Sequence, residues 1–178
     1  MKPFGLVPSL ISAVWLIAFG ASFGVGLKIV VAQTDVRRET KVTEEFQHML
    51  TQMDAAQIEL QNGKPAAYKA LWSQADDVTV SGGLGGTIEK GWDAISRRLD
   101  WVGTQFSEGS NTIERVVANE SGNLGYVVQI EHIRFKVPGQ GEEAKRDYRV
   151  TMVFRREAEG WRIVHRQADS QMTKQAPQ

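Results

Sequence analysis

The second half of the chain constrains its fold most. Between residues 112 and 169, apolar and polar side chains alternate through four runs: "TIERVVANE", "GYVVQIEHIRFKV", "RDYRVTMVFRRE" and "WRIVHRQAD". Alternation with a period of two puts successive side chains on opposite faces, so each run reads as a half-buried strand. The turn-rich "PGQGEEAK" and the tight "AEG" join the last three runs, which makes them antiparallel neighbours. Such a sheet needs a cover for its apolar face. The first half supplies helical patterns instead. Val42, Phe46, Met49, Leu50, Met53 and Leu60 recur at helical spacing, with Glu44 and Glu45 in a first turn that starts near Thr43. "QNG" closes this helix, and Pro65 suits the first turn of a second, "PAAYKALWSQA". A short strand, "DVTVS", leads through the glycine-rich "GGLGGTIEKG" to a third helix over residues 92–106. Its apolar face is Trp92, Ile95, Leu99, Val102 and Phe106. Helices first and long strands after predict an α+β domain, with three N-terminal helices on one face of a curved antiparallel or mixed sheet.

The chain has 178 residues, enough for one domain with a core, and no internal repeat is visible. Lys plus Arg equals Asp plus Glu at 21 each, which gives no bias toward nucleic acid. The absence of cysteine excludes disulfides, thiolate metal sites and a cysteine nucleophile. The N-terminus differs from the rest. Residues 4–27 carry no charge, and Lys28 ends the run. This is read as an export segment, with two forms left open. One is a signal peptide, residues 1–32, cleaved after Ala32, with Val30 and Ala32 as the small residues at the cut. The other is a retained membrane anchor, since 24 uncharged residues exceed the roughly 20 needed to span a bilayer. Either form places the domain outside the cytoplasm, periplasmic, secreted or tethered. Residues 33–42 read as a polar linker, residues 43–170 as the domain, and residues 171–178 as a polar tail.

The order of these elements, "ALWSQADDVTV", the "GWDAI" helix start and the closing "GWRIVHRQADS" resemble the SnoaL-like and ketosteroid-isomerase-like members of the nuclear transport factor 2 superfamily. The resemblance covers residues 43–170. It implies a cystatin-like cone, with three helices closing a strongly bent sheet around an apolar pocket, and a homodimer through the sheet, as in many relatives. It also implies three chemical positions for an isomerase. Counted along this chain, the proton-shuttling aspartate falls on Gly82, the oxyanion-donating tyrosine on Ala56 and the protonated aspartic acid near Met152. None of these side chains can do that work, and losing even one oxyanion donor costs about two to three powers of ten in rate.

Strand alternation then assigns an inner face. On the penultimate strand it is Tyr148, Val150, Met152 and Phe154; on the last it is Trp161, Ile163, His165 and Gln167, which puts the arginines outside. On the long strand the matching set is Tyr126, Val128, Ile130 and His132, and Trp72 and Leu99 close the pocket from the helices. The expected ligand pocket is therefore Trp72, Leu99, Tyr126, Val128, Ile130, Met152, Phe154, His165 and Gln167, suited to a small, mostly apolar molecule. His165 has three open roles: general base, ligand contact or structural hydrogen bonding. Asp169 shares its parity and is the second candidate acid or base. The leading expectation is a ligand-binding domain without isomerase chemistry. The alternative is an isomerase, polyketide cyclase or dehydratase using His165 or Asp169.

Other signals carry less. Asp76 and Asp77 are adjacent, so on a strand they point apart and cannot converge on one ligand; they read as a polar corner. "GGLGG" lacks the Lys-Ser/Thr of a phosphate loop. His48, His132 and His165 show no metal-ligand spacing, so no metal and no cofactor is expected. Arg155, Arg156, Arg162 and Arg166 are expected as a stripe on the outer sheet face, either solvated, at a dimer contact or against anionic lipid.

Overall fold

The structure, a computed structural model, describes residues 42–174. The uncharged run at residues 4–27, the cleavage point after Ala32, residues 33–41 of the linker and the last four residues lie outside the described residues. None of the described helices is long and apolar enough to cross a membrane.

Three helices precede most of the sheet. Helix α1 is Glu44–Leu60, and the Thr43 side chain caps it by accepting from the Phe46 backbone N–H. Helix α2 is Ala66–Ala70 and helix α3 is Trp92–Gly103. The strands are β1 (Thr79–Ser81), β2 (Glu89–Lys90), β3 (Ser107–Ser121), β4 (Leu124–Lys136), β5 (Glu143–Glu157) and β6 (Gly160–Asp169). They form one sheet in the order β2-β1-β6-β5-β4-β3. All pairings are antiparallel except β1 with β6, which is parallel, so the expected α+β class and mixed sheet are present.

Helix α2 is shorter than the sequence pattern predicts, and a backbone constraint accounts for it. Trp72 forms a parallel bridge with Ile163; the Ile163 N–H donates to the Leu71 carbonyl and the Ser73 N–H donates to the Ile163 carbonyl. The chain is drawn onto the edge of β6 before a further helical turn can form. β3 begins five residues earlier than the alternation predicts, with register shifts between Ser107 and Ser110 and between Arg115 and Val117.

The helices cover the concave face. Phe46 of α1 packs edge-on against Phe154 and at a tilt against Trp161, with ring centroids 5.2 and 4.8 Å apart. That approach needs a bare backbone on β4: a Cβ on Gly125 would lie 2.7 Å from Phe46 Cζ. The core continues through Leu50, Met53, Ile95, Val150 and Met152, all nearly inaccessible to solvent.

Two face assignments are corrected. On β4 the buried set is Gly125, Val127, Gln129, Glu131, Ile133 and Phe135. Tyr126 and Val128 face outward, 40% and 37% exposed, with His132 beyond them and Ile130 half-buried on the same side. On β6 the alternation breaks. Val153 pairs with His165 but Phe154 pairs with Ile163, so Val164 is an extra, bulged residue. Before the bulge Trp161 and Ile163 face the core, as expected. After it Arg166 and Ala168 face inward, opposite Met152 and Val150, while His165 and Gln167 turn outward beside Val153 and Thr151. Arg166 is thus not part of an outer basic stripe.

Candidate functional site

The inward turn of Arg166 builds the polar centre of the domain. Its guanidinium meets Glu131 of β4, the one carboxylate among the described residues with no exposed surface, through two parallel hydrogen bonds of 2.8 Å each. Gln129 Nε2 donates to Oε1 of the same carboxylate at 2.8 Å, and Gln57 Nε2 donates to Oε2 at 2.6 Å. Four donors therefore converge on one carboxylate. Burial alone would push the Glu131 carboxyl up. The Arg166 charge and these hydrogen bonds outweigh it and hold the group below the usual carboxylate range, while the Arg166 guanidinium is held more firmly protonated by the same pairing. Glu131 is an ionised strut, not a proton carrier.

Beside this pair lies a cavity of about 70 Å³. Leu60, Leu99, Val102, Phe106, Val80 and Ile133 give it apolar walls, and Gly82, Gly83 and Leu84 close one side. Gln57 of α1, Gln61 at its C-cap, Tyr68, Tyr148, Arg98 and Arg166 are the polar residues that line it. Burial pushes the Tyr68 hydroxyl up to about 12, so it stays protonated at neutral pH and can donate. The Oε1 atoms of Gln57 and Gln61 have no hydrogen-bond partner, and the Tyr68 hydroxyl has only the neighbouring Arg166 guanidinium.

The glycine-rich connection can sit over this cavity because Gly83 lacks a side chain. A Cβ on Gly83 would lie 2.4 Å from the Tyr148 ring, so only glycine lets the loop rest on that ring. Arg98 Nη2 donates to the Gly85 carbonyl at 2.7 Å, tying the loop to α3. Gly85 and Gly86 have φ of +83° and +97°, in the region that favours glycine.

The other sequence-derived candidates scatter. Leu99 lines the cavity. Trp72, Met152 and Phe154 are buried in the core without lining it. Tyr126, Val128, Ile130 and Gln167 lie on the outer sheet face. His165 is half-buried there, its Nδ1 2.8 Å from Thr79 Oγ1, and burial lowers its pKa. Asp169 is ion-paired with Arg149 at 2.6 Å, and the hydrogen bond from Arg149 holds it below the usual carboxylate range. Neither acid–base candidate reaches the cavity. Of the three positions counted for isomerase chemistry, Gly82 lines the cavity, and Ala56 and Met152 are buried. Asp77 turns to Arg155, 2.7 Å away. Among the described residues no cluster of His, Asp or Glu could hold a metal ion.

The residues that build the site, Gln57, Gln61, Tyr68, Arg98, Glu131 and Arg166, were not singled out from sequence as a site. A helical signal was present for two of them: Gln57 and Gln61 share the face of Met53 and Leu60, at positions that a helix must bury.

A comparison with curated proteins returned no match. Solved structures give many. A nuclear transport factor 2-like superfamily protein from Salmonella enterica serovar Typhimurium superposes with a TM-score of 0.62 at 18% identity, over 75% of this chain and 94% of that one. A ketosteroid isomerase-like protein from Erwinia carotovora atroseptica does so at 0.60 and 16% identity, over 75% and 100%. A nuclear transport factor 2-like protein with a cystatin-like fold from Novosphingobium aromaticivorans follows at 0.56 and 18%, over 74% and 82%. At these identities the likeness is one of fold. The SnoaL-like domain model matches residues 46–172, from the first turn of α1 to just past β6, and the chain therefore belongs to the SnoaL-like family.

Proposed function

We propose that this domain binds a small, mostly apolar molecule in the cavity beside Glu131 and Arg166 and performs no ketosteroid isomerase chemistry. One observation carries the reading: the cavity has mostly apolar walls, and its lining holds no imidazole and no carboxylate. Proton transfer between substrate atoms needs a group that changes protonation near the working pH. Tyr68 is held protonated, Arg166 is held charged, and Glu131 behind them is held ionised. His165 and Asp169, the acid–base candidates of the enzyme alternative, lie on the other face of the sheet. A volume of about 70 Å³ is well below the roughly 300–1,000 Å³ of sites for drug-sized ligands, so the occupant is small or displaces the 82–86 loop. The uncharged run at residues 4–27 supports a site of action outside the cytoplasm.

The same reading includes a homodimer through the outer sheet face. Leu124, Tyr126 and Val128 follow one another there on β4, and Val116 of β3 is 61% exposed. A row of apolar side chains on an antiparallel sheet otherwise facing water fits a partner surface.

Native mass spectrometry of the chain purified from its own host tests the binding reading. A stoichiometric small adduct that Leu99→Trp abolishes, with the fold intact by circular dichroism, is the expected result. Turnover of a 3-keto steroid or another enolisable ketone by the purified chain would refute it.

A further inference from the structure

We propose that residues 83–87, latched by Arg98, are the gate through which an occupant enters and leaves the cavity. This rests on the cavity-binding reading above. Most of the cavity wall is regular structure, supplied by the three helices and by β1, β4, β5 and β6. Three parts of it are neither helix nor strand. Gln61 caps α1, and its backbone N–H donates to the Gln57 carbonyl at 3.1 Å. Phe106 packs edge-on against Phe135, with ring centroids 4.7 Å apart. The third part is Gly82, Gly83 and Leu84, at the start of the connection from β1 to β2. It is held far less. Among the described residues, a single hydrogen bond ties residues 83–87 to the rest of the domain, from Arg98 Nη2 to the Gly85 carbonyl at 2.7 Å. Within the connection, the Gly85 N–H donates to the Gly82 carbonyl at 3.0 Å and closes a turn on itself. Leu84 is the plug: half-buried, it packs against the core and lines the cavity.

A second observation puts the latch on the path between cavity and solvent. Arg98 lines the cavity, and with Glu89, Ala94, Arg97 and Trp101 it also lines a depression on the outside of α3. It is the one residue common to both, so its side chain is the partition between them. The guanidinium is steadied from the outer side, 4.6 Å over the Trp101 ring and 3.5 Å from Glu89 of β2. Gly85 and Gly86, both at positive φ, let the loop change backbone region without a side-chain clash. Opening therefore breaks one charge-assisted hydrogen bond and lifts Leu84, and it leaves every helix and strand in place.

The test is xenon exchange in the full chain. Xenon enters dry apolar cavities and needs no hydrogen-bond partner. Shifts of the Leu99 and Val102 methyl signals give its Kd, and xenon saturation-transfer NMR gives its exchange rates. Arg98→Met keeps the apolar stem and removes the latch. A hydrogen bond to a charged group is worth about tenfold or more in an equilibrium. Association and dissociation should therefore both quicken at least about tenfold, with Kd unchanged within about threefold, because a gate limits entry and exit alike. A Cβ on Gly85 would meet nothing within 4 Å, so Gly85→Ala strains only the positive φ of the closed loop. It should quicken both rates about fivefold, and it carries the test should Arg98→Met fail to fold. Arg97→Met, in the outer depression but not in the cavity wall, should change neither rate. Xenon that exchanges with both folded variants as slowly as with the parent overturns the gate and leaves the cavity reading standing. So does an Arg98→Met variant whose Kd weakens through dissociation alone. Cavity methyls that xenon does not shift in any of these chains overturn both.

Discussion

Removing the Arg166 guanidinium should cost this domain a large part of its stability, and the cost should depend on Glu131. Arg166→Met keeps the length and apolar stem of the side chain but removes two of the four hydrogen bonds to a carboxylate with no exposed surface. Hydrogen bonds to charged groups contribute about 1.5–3 kcal/mol each, and breaking a buried ion pair from one side costs about 3–5 kcal/mol. Against the roughly 5–15 kcal/mol of a typical domain, the latter range is a severe loss. In urea, with a slope of about 2 kcal/mol per molar, the midpoint should fall by roughly 2 M. Adding Glu131→Gln to Arg166→Met removes the stranded charge and should recover at least about 2 kcal/mol. The pH dependence should also reverse. In the parent the folded Glu131 pKa lies below the ordinary 4.5, so its stabilisation is complete above that value and disappears as pH falls through the folded one. In Arg166→Met, burial without the counter-charge raises the folded pKa above 4.5. That variant should therefore recover part of its deficit as pH falls from 7 toward 5. An Arg166→Met midpoint within experimental error of the parent, or a double variant no more stable than the single, would refute the strut role of the pair.

Gly109→Ala should destabilise by about 1–3 kcal/mol in urea unfolding, because its Cβ would lie 2.5 Å from the Gln61 carbonyl oxygen, a backbone atom that cannot swing aside. The parent should lose stability as pH falls below about 6.5, since burial lowers the folded His165 pKa and the unfolded chain then binds the extra proton. His165→Asn should flatten that slope in pH-dependent thermal denaturation. Under the proposed homodimer, the parent should sediment as a dimer and Val128→Asp, on the exposed outer face, as a folded monomer in sedimentation velocity.

The fold was largely legible because period-two alternation and helical spacing are dictated by the core that each element must cover. The site was less so, for two physical reasons. On β4 both parities are apolar, with Leu124, Tyr126, Val128 and Ile130 against Val127, Ile133 and Phe135. Only at Arg134 and Lys136 does the outer set declare itself, and a buried Glu131 contradicts the expectation that charges face water. On β6 a single bulged residue, Val164, reverses the parity, which alternation cannot foresee because the extra residue shows only in the pairing with β5. The two face assignments are coupled: with Arg166 outside, an inward Glu131 would lack its bidentate partner. The glycines of the 82–86 loop were visible, but their reason is the Tyr148 ring, 65 residues from Gly83.

The central claim is a cavity whose polar groups hold fixed protonation states around neutrality, and the pH dependence of binding tests it most directly. Glu131 is held ionised, Tyr68 has a pKa of about 12, and Arg166 stays charged. The affinity for 2-butanol, a small and mostly apolar probe, read from the Leu99 and Val102 methyl signals, should therefore be constant within about twofold between pH 6 and 9. A sigmoidal or bell-shaped profile centred in that interval would reveal a titrating group at the ligand and contradict the account.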